Sequence, residues 1–233
     1  MTERALASGE SDRRGFLRGA VAAVAVVGVG VLFSGSAYAV EGRSRVGRAG
    51  AIELPPVGTE IPVSCYVANV PLRLNALGIL TLDFKGGINY LVKTSTAEGA
   101  DLEVQDFRVE ADTSPSTPDS GHLVVLKKSS THLAPISVLK ADGQMLIHLP
   151  LDVETIDKAT GETVISGSTD PAKYATLVSA DQSGNQAPVN AFPPVNQNYV
   201  LQEPVSFYTP GSTDPDAQVG TLEAFGAVMN QSA

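Results

Sequence analysis

From Ile61 onward the chain keeps to a period of two, and a strand with one buried face requires that alternation of apolar and polar residues. Leu80, Leu82 and Phe84 alternate with Thr81 and Asp83, and Ile88, Tyr90 and Val92 repeat the pattern after Lys85-Gly86-Gly87. Paired glycines suit the positive φ of a tight hairpin, so this sequence predicts a turn at Gly86-Gly87. Leu102 and Val104, then Phe107 and Val109, continue the alternation with a slip of phase at Asp106, the mark of a β-bulge.

The same grammar runs to the end of the chain. A loop from Thr113 to Gly121 precedes the short apolar run Leu123–Leu126. Asp142-Gly143 has the composition of a two-residue type I′ turn. Beyond it, Met145–Val153 reads as one strand, with Met145, Ile147, Leu149 and Leu151 inward and His148 and Asp152 outward. Turn residues at Asp157–Gly161 lead into Thr163–Ile165. A long Gln/Asn/Pro loop from Asp181 to Asn198 then separates Tyr174–Val178 from Tyr199–Leu201 and Val205–Tyr208. Only Gly220–Met229 has the character of a short helix. Many short strands set apart by turns predict an all-β fold, an antiparallel sandwich or barrel of one domain with long loops, over residues 61–233.

Residues 1–39 do not belong to that domain. Ser11-Asp12-Arg13-Arg14-Gly15-Phe16-Leu17-Arg18 is followed by an apolar, glycine- and alanine-rich stretch from Gly19 to Phe33, then by Ala37-Tyr38-Ala39. This segment resembles the twin-arginine export signal, with Arg13, Arg14, Phe16 and Leu17 in register. The resemblance implies a translocase that reads the arginine pair and a signal peptidase that takes Ala37 and Ala39. It also implies a secreted or extracytoplasmic product. The apolar stretch is 15 residues long, short of the roughly 20 that a membrane span needs, so no stable anchor is expected after cleavage. Residues 40–60, with Arg43, Arg45, Arg48 and Leu54-Pro55-Pro56, read as a flexible leader.

Charge narrows the function. The chain carries 16 basic and 25 acidic side chains; removing the four arginines and three acids before Val40 leaves 12 against 22, a net charge of −10. An acidic surface without a basic patch repels phosphate backbones, which excludes nucleic acid as a partner. Cys65, the single cysteine, excludes an internal disulfide and reads as a small core residue.

Chemistry is sparse. His122, His132 and His148 fall on separate elements, and a transition-metal site would need them to converge. Calcium takes loop oxygens, for which Asp181, Asn185, Asp214 and Asp216 are the candidates. Asp181-Gln182-Ser183-Gly184-Asn185 nevertheless departs from an EF-hand at Gln186 and Phe192. Asp83, Asp106, Asp152 and Glu154 are open as glycosidase carboxylates, and Phe192-Pro193-Pro194 with Tyr199 is the one candidate sugar platform in a chain with no Trp. No phosphate loop, dinucleotide fingerprint or serine elbow is present.

In size, signal and composition the remainder resembles the small exported β proteins of high-GC bacteria, a likeness that carries no catalytic residue. The expectation is a secreted, non-enzymatic protein that binds an apolar small molecule or a cell-surface partner, with no resident cofactor. A metal-dependent extracellular enzyme built on the three histidines is the alternative.

Overall fold

The computed structural model describes residues 52–116 and 120–231. Arg13, Arg14, Phe16, Leu17, Ala37 and Ala39 lie outside the described residues. Three long strands come first: β1 (Glu60–Leu74), β2 (Gly78–Thr96) and β3 (Gly99–Asp112). Ten shorter ones follow: β4 (His122–Lys128), β5 (Ser137–Lys140), β6 (Met145–Leu149), β7 (Leu151–Asp157), β8 (Thr163–Thr169), β9 (Ala175–Ala180), β10 (Gln197–Leu201), β11 (Val205–Tyr208), β12 (Gln218–Leu222) and β13 (Gly226–Gln231).

All pairings are antiparallel, and the sheet closes on itself twice. β1 is flanked by β2 on one side; on the other it meets β13 along Val63–Val67 and β12 along Leu72–Leu74. β3 likewise meets β5 along Gly99–Leu102 and β4 along Arg108–Asp112. The rings are completed by β4-β7-β8-β11-β12 and by β5-β6-β9-β10-β13. Corresponding members of the two rings are consecutive in the chain and run the same way. The fold is therefore an eight-staved up-and-down antiparallel barrel, with three continuous staves and five broken once near the waist.

The break between β6 and β7 has a local cause. Pro150 divides β6 from β7 because it has no N–H for the ladder, while its carbonyl accepts from the Ser129 N–H at 2.8 Å. The sequence's single strand Met145–Val153 is thus two, although Leu149 and Leu151 both stay inward and buried. Phe225, in the link between β12 and β13, fills the waist against Phe84 and Phe107, at ring separations of 6.4 and 6.5 Å. The continuous staves bend through bulges. Ala68-Asn69 is inserted in β1 between Val67 and Val70, and Gln105 in β3 between Val104 and Asp106, where the phase slips in sequence.

Gly86-Gly87 is not a turn; it lies inside β2, with Gly86 in register between Cys65 and Val109. A Cβ on Gly86 would strike the Arg108 carbonyl oxygen and lie 2.8 Å from Val109 Cα, so glycine serves close approach of backbones here. Gly220–Met229 is not a helix. Its residues belong to β12 and β13, with Gly220, Leu222, Ala227 and Met229 buried, because the last strands must pair with β1 to shut the barrel.

The hairpin at Asp142-Gly143 exists in a different form. The Gly143 N–H donates to Lys140 O at 2.9 Å and Gly143 alone takes positive φ, at 86°, giving a three-residue loop with a glycine bulge in place of type I′.

The interior is apolar and continuous from Ile61 to Met229, and Ile52 and Leu54 pack against it. One end is closed by the loop between β9 and β10, which drives Val189 and Phe192 into the core. Phe192 meets Tyr90 at 6.5 Å, and the Val189 N–H donates to Gly143 O at 2.8 Å.

Candidate functional site

A cleft of about 590 Å³ lies on the outer face of β1, β2, β3 and β4. Its floor follows from the β1 bulge. Ala68 and Asn69 together oppose Asp83, which takes Asn69 out of the ladder into a left-handed conformation at φ 55°. Asparagine tolerates that region better than most residues, and Asp83 Oδ1 holds the bulge by accepting the Asn69 N–H at 2.8 Å. Beside it Tyr66, Lys85 and Glu110 stand in one cross-strand row, and Thr81, Asp112, Thr113, Pro115 and Leu123 complete the walls.

Charges in the cleft are balanced. Glu110 is bound by Arg108 at 2.6 Å, and Asp112 accepts from Lys158 Nζ at 2.7 Å. That lysine bond, followed by the Ser114 N–H, holds the Asp112 carboxyl below its usual range. Asp83 and Lys85 are the two remaining charges of the lining, opposite in sign and not in contact as an ion pair. Among the described residues, the Asn69 amide, Thr81 hydroxyl, Lys85 ammonium and Tyr66 hydroxyl have no protein partner. Tyr66 is 43% exposed.

A second polar set lies inside the barrel. Tyr90 Oη donates to Met229 Sδ at 3.9 Å and Tyr199 Oη to Met145 Sδ at 3.1 Å, so both buried phenols have only a thioether as acceptor. Cys65 stands opposite Met229 in register, and burial pushes its thiol up to about 12. Burial likewise raises both tyrosines.

The residues singled out in sequence do not converge. His122 opens β4, His132 lies in the link between β4 and β5, and His148 is on β6. Among the described residues, no three of His, Cys, Asp and Glu stand close enough to share a metal ion. Asp181 spends one oxygen on the N–H groups of Ser183 and Asn185, at 2.8 and 3.0 Å; Asp214 caps a short 3-10 turn, accepting from the Asp216 N–H at 3.0 Å. The two loops sit at opposite ends of the barrel. Asp152 accepts from Ser168 Oγ at 2.7 Å, and Glu154 from Lys127 Nζ at 2.6 Å. Asp106 lies by a separate shallow depression with Asn89 and Arg108, and of the four acids only Asp83 enters the cleft. Phe192 and Tyr199 form no sugar platform, since both rings are buried in the core.

The outward face that carries His148 is half covered. Nδ1 lies 3.2 Å from Thr176 Oγ1, the ring meets Tyr174 edge-on at 5.2 Å, and burial lowers the imidazole pKa. Gly143→Val should cost about 2 kcal/mol, through backbone strain and contact with Pro188 Cβ at 2.9 Å, and His148→Ala about 1 kcal/mol. The folded state disfavours imidazolium, so the wild type should lose stability relative to His148→Ala as pH falls below about 6.5, the unfolded value. Urea titrations at pH 7 and pH 5 check both; parallel behaviour of the two proteins across that range would remove the coupling.

Sequence reasoning missed Tyr66, Asn69 and Lys85. The available signal was the slip of alternation between Val67 and Val70, with an asparagine inside it.

No protein-family model matches the chain, and no curated protein matches it. Among solved structures, DynF from the dynemicin biosynthesis pathway of Micromonospora chersina is similar, with a TM-score of 0.55 at 11% identity over 81% of this chain and 90% of that one. At that identity the likeness bears on the fold alone.

Proposed function

We propose that this chain is an exported, non-enzymatic binding protein that holds a cell-surface partner on the cleft around Tyr66. The observation that carries the reading is the set of unengaged polar side chains grouped beside an exposed ring on a rigid sheet. The floor strands are laddered on both sides, so recognition there falls to side chains. Export by the twin-arginine route, from Arg13, Arg14, Phe16 and Leu17, would deliver the barrel already folded to its partner.

A second reading, an apolar small molecule held inside the barrel, is favoured by Met145 and Met229. Unbranched thioether side chains re-pack readily around an apolar guest, and these two lie in the barrel interior beside Tyr90 and Tyr199.

Fractionation of the producing cell tests the first reading. The wild type should be recovered outside the cytoplasm and retained on the envelope. Arg13→Lys with Arg14→Lys should hold the precursor inside, because the receptor reads guanidinium geometry. Tyr66→Ala should be exported but released to the medium. Envelope retention that ignores Tyr66 would overturn the cleft as the binding surface.

A further inference from the structure

We infer that the Tyr66 cleft takes a neutral saccharide, with one pyranose ring laid on the Tyr66 phenol; this rests on the binding reading above. The argument begins with charge. Two of the three acids lining the cleft are neutralised within the protein, Glu110 by Arg108 and Asp112 by Lys158, and the third, Asp83, shares the cleft with the one lining cation, Lys85. A site built for an anion or a cation carries an excess of one sign, and this one carries none. What it does carry is donors and acceptors in mixed order: the Asn69 amide, Thr81 Oγ1, Lys85 Nζ and the second oxygen of Asp83, whose first is spent on the Asn69 N–H at 2.8 Å. Many hydroxyls on a small rigid ring match such a set, because each hydroxyl both donates and accepts.

A peptide fits less well. Strand addition needs a free sheet edge, and the floor here is paired throughout, β1 with β2, β2 with β3 and β3 with β4. The aromatic surface supplies the apolar half of the recognition. Tyr66 is exposed at the β1–β2 surface, in register with Lys85, so a ring stacked on it has charged and amide groups within reach on its edge. The Asn69 backbone is fixed by its bulge, so a ligand has only the side chain of that residue to order.

Saturation-transfer NMR and calorimetry on the full chain test this, using cellotetraose, maltotetraose, chitotetraose and laminaritetraose, with tetragalacturonate as the anionic control. At least one neutral tetrasaccharide should bind, and tetragalacturonate should bind at least ten-fold more weakly. Tyr66→Ala should weaken the neutral ligand at least ten-fold. Asn69→Gly, which accepts the same φ and so keeps the bulge, should weaken it several-fold without lowering the melting temperature by more than a few degrees. Binding that survives both substitutions, preference for tetragalacturonate, or no binding by any neutral tetrasaccharide would each overturn the saccharide assignment. If retention on the envelope still depends on Tyr66 in those cases, the binding reading stands with a different ligand; if it does not, both fall.

Discussion

Gly86→Ala should destabilise the barrel by about 3 kcal/mol or more, although it adds one methyl group to a strand. The added Cβ meets the Arg108 carbonyl oxygen and Val109 Cα, backbone atoms that move only if β3 moves, and β3 is laddered to β2, β4 and β5. Gly161→Ala is the matched control. Gly161 has φ 74° and no atom within 4 Å of its Cβ position, so the substitution should cost only the left-handed strain, about 1 kcal/mol. Denaturant melts of the two variants separate close approach from turn geometry. A Gly86→Ala cost as small as that of Gly161→Ala would mean that β2 and β3 are not packed as described.

Phe84→Ala should cost about 4 kcal/mol, because Phe84 is fully buried at the waist and its loss leaves Phe225 and Phe107 facing a void. Tyr90→Phe, further along the same strand, should change stability by no more than about 0.5 kcal/mol in either direction. The Tyr90 hydroxyl gave up water for a thioether 3.9 Å away, so removing it forfeits little. A large loss on Tyr90→Phe would show that this phenol has a stronger partner than Met229.

The all-β fold was legible because alternation is a property of each strand alone: in β1, Ile61, Val63, Cys65 and Val67 face inward with Pro62, Ser64 and Tyr66 between them. Pairing is not local, and there the sequence was ambiguous. A glycine pair reads the same whether it turns the chain or lets two backbones touch, and only the neighbours of Gly86 decide between them. Pro150 leaves the alternation of Leu149 and Leu151 intact, so the break at the waist is silent in the pattern. Gly220–Met229 has alanine, leucine and glutamate enough for a helix, but barrel closure claims those residues for strands. The cleft was the least visible part. Tyr66, Lys85 and Glu110 are neighbours only through the register of three strands, and register is set by the core they do not face.

The seam where the first strand meets the last has a consequence for synthesis. Ser64 Oγ donates to the carbonyl of Asn230, 166 positions later, and the two belong to the pair of strands that shuts the ring. While the ribosome is still making β13, the exposed flank of β1 has no partner along Val63–Val67, and the cylinder is an open, curling sheet with an apolar inside. Folding therefore cannot finish vectorially, strand by strand; the closing step waits for nearly the whole polypeptide, and pairings this distant form slowly. On the export route proposed above, which carries chains already folded, closure of this seam would set when the protein is ready to leave.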